Sequence, residues 1–351
     1  MLAQIWNTVW PILTALLFFG IIIMTHELGH FTFAKLFKVK INEFSIGMGP
    51  ALLKRKKGET DYSVRLLPIG GYVAMEGEDE DSEDLNAFGK KPAWQRAIII
   101  LAGATVNIIT GVIIMAIILS TSDLIGTPTI VEFSENAASK NGGLQENDRI
   151  IAVNNDKVYT EYDLTYFMMR DKDAVIDFVV ERDGEQLSVK SVKFDTREVE
   201  GQTVVVYDFS ILGLKPGLGS VFKYSLLNSF SVARIVWLSL FDIVTMNFSL
   251  NDLSGPIGTV DIIADTTTEA VHTMDFSALL TMMAFIAINI GVFNLIPFPA
   301  LDGGRFVMII IEGIIKKKIP SSVEAAINNA GLIFLLGLMA VVTVNDVIKL
   351  F

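Results

Sequence analysis

The chain has 351 residues, of which 51% are hydrophobic and 19% charged, and its formal net charge is -11. So apolar a composition in so long a chain excludes an ordinary soluble globular protein, and the acidic balance argues against nucleic acid as a partner. Cysteine is absent, which rules out disulfides and thiolate metal sites and leaves imidazole and carboxylate as the metal ligands.

The first apolar stretch, Trp10 to Ile23, reaches with its flanks the ~20 residues that a membrane-crossing helix needs. No Lys or Arg precedes it and no small-residue cleavage site follows it, so it reads as a span and not as a signal peptide. Lys35, Lys38, Lys40 and the run Lys54-Arg55-Lys56-Lys57 come after it, and the positive-inside rule predicts an outside N-terminus. Thr25-His26-Glu27-Leu28-Gly29-His30 lies at the cytoplasmic end of this span. On a helix, His26 and His30 share one face and can grip one Zn²⁺, with Glu27 beside them as general base. The chain has three histidines in all, and two of them fall in this pattern.

Residues 41–75 combine Val, Tyr and Phe with Gly47, Gly49, Gly58, Gly70 and Gly71, the pattern of a glycine-rich β-hairpin. Such backbone dips into a membrane only where it is buried in protein or lines a wet cavity. Glu76 to Asp84 is a carboxylate-rich, solvated linker. Ile98 to Leu119 is the second span, in which Gly103, Ala104, Asn107 and Gly111 make one side small, with Asn107 as a hydrogen-bonding contact.

From 127 to 197 charges become frequent and the chain reads as a small domain outside the membrane. Ile150-Ile151-Ala152-Val153 and Val175 to Val180 are its clearest strands, and Asn154-Asn155 and Asp183-Gly184 its turns. Gly142-Gly143-Leu144-Gln145-Glu146-Asn147-Asp148-Arg149-Ile150 followed by Val153-Asn154 resembles the PDZ family, whose members bind extended peptides by strand addition. Residues 221–248 are apolar but interrupted by Lys223, Arg234 and Asp242, and span parity favours an interfacial amphipathic helix.

Phe276 to Ile296 is span three and Ala330 to Val344, with its flanks, span four; Arg305 and Lys316-Lys317-Lys318 between them are again inside. Span three ends in Asn294-Leu295-Ile296-Pro297-Phe298-Pro299-Ala300-Leu301-Asp302-Gly303-Gly304, where two prolines break the helix and leave a carboxylate near membrane depth. An ionisable group there is costly and functional by default. Asp302 is therefore the third expected ligand, ahead of His272, which lies before span three and so across the bilayer.

Taken together, these motifs resemble the site-2 protease family of intramembrane zinc metalloproteases, in its bacterial branch acting on anti-sigma factors. The resemblance rests on His26 to His30, on Leu67-Pro68-Ile69-Gly70-Gly71-Tyr72-Val73, on Leu253-Ser254-Gly255-Pro256-Ile257-Gly258 and on Asn294 to Gly303. It implies a zinc site of His26, His30 and Asp302, Glu27 as base, and Asn289 and Asn294 near the substrate backbone. It implies also that the hairpin, through Gly70, Gly71 and Tyr72, pairs with an unwound substrate strand, and that the PDZ-like module limits access to substrates already shortened outside. The chain departs from the family in lacking a proline after Gly103 and in carrying one PDZ-like module where some relatives have two.

The expected fold class is a multi-pass α-helical membrane protein: four transmembrane helices, a membrane-associated β-hairpin and an inserted extracytoplasmic PDZ-like α+β domain. The expected boundaries are 1–125 for the first two helices and hairpin, 126–200 for the PDZ-like domain, 201–275 for the linker and interfacial helix, and 276–351 for the last two helices. The expected place is the bacterial cytoplasmic membrane, with single-span membrane proteins as substrates, the lipid bilayer as surroundings and a peptide or protein ligand for the PDZ-like module. The rival readings are a membrane metal transporter and an inactive PDZ-bearing scaffold. Glu27 separates them, because transport needs no carboxylate beside the first histidine and a dead scaffold is expected to lack one of the four groups.

Overall fold

The computed structural model describes residues 2–78, 80–171, 173–199, 202–245 and 255–349. In chain order these form α1 (Leu2–Leu36), β1 (Ile41–Lys57), β2 (Thr60–Met75), α2 (Ala93–Thr121), β3 (Ile125–Phe133), α3 (Ala138–Asn141), β4 (Arg149–Val153), β5 (Asp156–Lys157) and α4 (Glu161–Arg170). There follow β6 (Val175–Arg182), β7 (Glu185–Lys193), β8 (Thr196–Val199), β9 (Gln202–Val205), β10 (Phe209–Leu214), α5 (Leu218–Val244), α6 (Pro256–Thr273), α7 (Ser277–Asn294), α8 (Asp302–Ile315) and α9 (Ser321–Lys349). Two compact units result, one of residues 1–111 with 240–351 and the other of residues 112–239.

The first unit is helical because its long segments carry almost no charge and no interior turn signals. Among the described residues five helices are long and apolar enough to cross a membrane, within α1, α2, α5, α7 and α9. That is one more than the four spans expected, and the additional helix is the stretch for which an interfacial position was read. Large apolar side chains stand exposed along these helices, among them Leu17, Ile113, Ile333 and Val341, an arrangement suited to lipid and not to water.

The expected hairpin is present, but each of its strands is sharply bent. Ile46 pairs with Gly71 on one side and with Val64 on the other, and Lys54 pairs with Ser63. Four runs thus lie side by side, in the order 71–75, 41–48, 60–67 and 51–57. Gly47 permits the bend: its φ is +86° and a Cβ there would stand 2.5 Å from the Leu67 carbonyl oxygen. The base of this sheet is locked into a core with α1, α2 and α8 through Ala34, Ile41, Val73, Ile99, Ile100 and Ile309. A buried ion pair, Arg96 to Glu312 at 2.6 Å, fastens α2 to α8.

Glycines also set the turn before α8. A Cβ on Gly303 would stand 2.3 Å from the Ile296 carbonyl oxygen, and one on Gly304 2.2 Å from that of Phe298. The Leu-Asp-Gly-Gly sequence is therefore what lets the proline-broken end of α7 fold back onto the start of α8. At the other end of the unit, the buried Asp346 of α9 accepts from Gly255 N at 2.9 Å and Gly258 N at 3.0 Å, which caps the start of α6. The approach is close at Gly255, where a Cβ would stand 2.6 Å from Asp346 Oδ2; Leu253 and Ser254 of the same motif lie outside the described residues.

The second unit holds a sheet of order β10-β3-β4-β6-β7, with β5 paired to β4, and a separate β8-β9 ribbon. Asn154-Asn155 and Asp183-Gly184 all have positive φ and make the two expected turns. Ile130, Ile150, Leu164, Phe167, Phe178 and Val180 fill its core. Its sheet extends past the expected boundary at residue 200, because Phe209 and Leu214 of β10 pair with Phe133 and Ile125 of β3. Recruitment of that strand depends on long-range pairing, which local sequence does not reveal.

Candidate metal centre

His26 and His30 lie in the C-terminal part of α1, where helical periodicity turns both rings to one side. Their Nε2 atoms are 3.1 Å apart. Asp302, the first residue of α8, brings Oδ2 to 3.2 Å from His26 Nε2 and 3.4 Å from His30 Nε2. Among the described residues these three form the one group of His, Asp or Glu with ligand atoms all within 4.8 Å of one another.

The surroundings orient the rings. His30 Nδ1 lies 2.8 Å from the Ile99 carbonyl oxygen; a carbonyl can only accept, so Nδ1 carries the proton and Nε2 keeps its lone pair for the shared point. Behind the rings α2 approaches very closely: a Cβ on Gly29 would be 2.5 Å from the Ala102 carbonyl oxygen. Thr25, just before His26, meets the fully buried Asn107 of α2 at 2.9 Å. The Thr25 hydroxyl also lies 2.8 Å from the Ile22 carbonyl oxygen, and its single proton serves one of the two.

Two imidazole nitrogens and a carboxylate oxygen fit Zn²⁺, whose catalytic sites take three protein ligands and keep a fourth position open. The arrangement also explains why Asp302 Oδ2 is buried without a hydrogen-bond donor, an expensive state unless the oxygen has a cation to face. Glu27 stands on the same helix. Its Cγ would be 3.4 Å from a Cβ on Gly71, so the run 71–75, which among the described residues has a paired neighbour on one side only, passes directly beside the candidate base.

Other residues expected at the site fall differently. Asn294 is the last residue of α7 and half-buried, whereas Asn289 is exposed. His272 is exposed in the last turn of α6 and has no part in the cluster. Sequence reasoning missed the carbonyl of Ile99 entirely, since a backbone group leaves no signal in side-chain identity.

The family model described as "Peptidase family M50" matches residues 14–338. The chain belongs to peptidase family M50. It is 36% identical over 338 residues to a Clostridium acetobutylicum protein whose name includes "zinc metalloprotease", with 96% of this chain and 97% of that protein covered. It is also 27% identical over 422 residues to "Regulator of sigma-W protease RasP" of Bacillus subtilis, with 97% of this chain and 99% of that protein covered. "Zinc metalloprotease RasP" of Shouchella clausii is 30% identical over 419 residues, with 95% and 97% covered. The M50 assignment and the apolar helices make this a membrane metalloprotease that uses zinc.

Proposed function

We propose that the protein is an intramembrane endoprotease that hydrolyses a peptide bond within the transmembrane segment of single-span substrates, in the class of anti-sigma factors or signal-peptide remnants. The observation that carries this reading is the convergence of His26, His30 and Asp302, from helices far apart in sequence, beside Glu27 and the edge run 71–75. The name of the RasP relative supports the anti-sigma class of substrate.

In this reading His26, His30 and Asp302 hold the ion. Lewis acidity towards water and the scissile carbonyl is what zinc supplies when bound there. Glu27 takes a proton from the attacking water and delivers it to the leaving amine. A helical substrate cannot offer its carbonyl while that group is hydrogen-bonded internally, so the chain must unwind locally. Gly70, Gly71 and Tyr72 offer it backbone partners as an added strand, and Asn289 and Asn294 offer amides; neither makes a side-chain hydrogen bond among those described.

The topology proposed has four spans, α1, α2, α7 and α9, in the bacterial cytoplasmic membrane, with the N-terminus and a PDZ-like module outside. A seam of polar contacts supports leaving α5 out of the membrane interior. Ser231 donates to the fully buried Asp163 at 2.6 Å, Thr160 donates to Ser231 at 3.0 Å, and Arg234 lies 4.9 Å from the Phe167 ring centroid. A helix fastened along its middle to a water-facing module lies on the membrane surface and does not cross it. The position of β10 at the edge of the described sheet supports a PDZ-like module with a peptide or protein ligand.

The test is incubation of the purified full chain with candidate single-span substrates, with and without a zinc chelator. Chelator-sensitive cleavage within the apolar segment is expected. Cleavage confined to water-exposed loops, or unaffected by chelation, overturns the proposal.

A further inference from the structure

The hairpin carries a charged network that neither the metal site nor the strand pairing requires. Glu43 and Ser45 on the run 41–48, Ser63 and Arg65 on the run 60–67, and Tyr72 on the edge run share one face of the sheet. Arg65 Nη2 donates to Glu43 Oε1 at 2.7 Å and to the Tyr72 hydroxyl at 2.6 Å, while Nη1 donates to the Gly49 carbonyl at 2.7 Å. Ser63 adds a bond to Glu43 Oε1 at 2.6 Å, and the guanidinium carbon sits 5.3 Å from the Tyr72 ring centroid. Burial opposes ionisation of Glu43, yet Ser63, Arg65 and Tyr72 hold its carboxyl below the usual range. Burial and the Glu43 carboxylate push the Tyr72 phenol up. Near neutral pH the set is thus an ionised carboxylate, a guanidinium and a neutral phenol.

Arg65 reaches across the run 41–48 to grip a residue on its far side. The edge run needs such a grip. Gly70 leads into it and Gly71 begins it, neither with a side chain to hold register, and a glycine-rich strand is prone to slip. Its position matters because Gly71 lies against Glu27. A slip of two residues keeps every side chain on its face but displaces any added strand by about 7 Å relative to the base.

We propose that Glu43 and Arg65 form a strap, anchored on Tyr72, that fixes the register of the edge run and so determines which substrate bond is cut. Arg65 is a positioning residue and touches neither zinc nor the scissile bond. The inference rests on the proposed strand addition at Gly70 to Tyr72 and deepens it by naming what sets cleavage register. An Arg at this place is favoured over Lys because only the planar fork serves Glu43, Tyr72 and Gly49 together.

The test compares the wild-type full chain with Arg65→Gln, Arg65→Lys, Tyr72→Phe and the double reversal Glu43→Arg with Arg65→Glu, on one single-span substrate in lipid. Zinc content, KM, kcat and the masses of the products are measured. For Arg65→Gln we expect unchanged zinc, a KM raised by about tenfold, equivalent to ~1.4 kcal/mol, and products from bonds flanking the original one. Tyr72→Phe is expected to shift products in the same sense more weakly, and the double reversal to recover the original bond in part. A single unchanged cleavage bond and KM in Arg65→Gln overturns the strap. So does loss of zinc and fold in Arg65→Gln with an unchanged product pattern in Tyr72→Phe. Failure of the wild type to cleave any single-span substrate counts instead against the proposed function.

Discussion

Gly103 of α2 and His30 of α1 touch so closely that a Cβ at position 103 would stand 2.3 Å from His30 Nε2, and 2.9 Å from His26 Cε1. The atoms it would strike are ring atoms of the candidate ligands, and the His30 ring is held at Nδ1 by the Ile99 carbonyl. Gly103→Ala is therefore expected to push the imidazoles out of line and weaken zinc binding by at least about tenfold, the low end of effects seen when groups orienting ligands are lost. Zinc content after dialysis checks it, and full retention of metal contradicts the packing.

Glu27→Gln leaves all three ligand atoms in place, so zinc content should stay at the wild-type level while cleavage falls by about a hundredfold or more, the scale of a lost general base. Metal analysis and turnover of a single-span substrate are read on the same sample. Persisting turnover would remove Glu27 from its role.

Asp302→Asn replaces a carboxylate facing two imidazole nitrogens by a poorer ligand and should lower both zinc occupancy and activity. His272→Ala, at an exposed position on α6, should change neither. The opposite pattern would discard the ligand set.

Since the chain has no cysteine, single cysteines report topology without background. One at the exposed Lys190 should react with an impermeant thiol reagent on intact cells, and one at Lys317 only after lysis. Labelling of both from outside would mean that α5 crosses the membrane, and labelling at Lys317 alone would mean that α1 runs the other way.

Asp346→Ala removes an acceptor from two backbone N–H groups at the start of α6. The expected cost is ~1 to 3 kcal/mol, the penalty for leaving buried donors unpaired, seen as a lower thermal midpoint in detergent. Asp346→Asn, which retains one acceptor oxygen, should lose less. Equal midpoints for all three proteins would deny the cap.

Much of the site was legible because its signals are local. His26, Glu27 and His30 lie within one turn and a half of a helix whose period is fixed, and the apolar runs around them announce α1, α2, α7 and α9, as well as α5, by length and composition. Asp302 was reachable from charge asymmetry and the cost of a carboxylate near membrane depth. The reading of 201–275 was coarser, because β10 joins its sheet only by pairing with β3. In α5, length and composition fit a span, and the surface position proposed for it rests on the contacts of Ser231 and Arg234.

The sequence by itself determined the chemistry on offer: two imidazoles and a carboxylate as candidate ligands, a second carboxylate as candidate base, no thiols, and long apolar runs around them. These follow from residue identity and short-range periodicity. Only the tertiary structure decided that Asp302 Oδ2 meets both histidines, that the hairpin bends so that Gly71 lies on Glu27, and that Arg65 reaches over one strand to Tyr72. Each is a contact between residues distant along the chain. Its existence depends on close approaches of backbone, at Gly29, Gly47, Gly103 and Gly303, which are fixed by packing of whole helices and strands and not by any local preference.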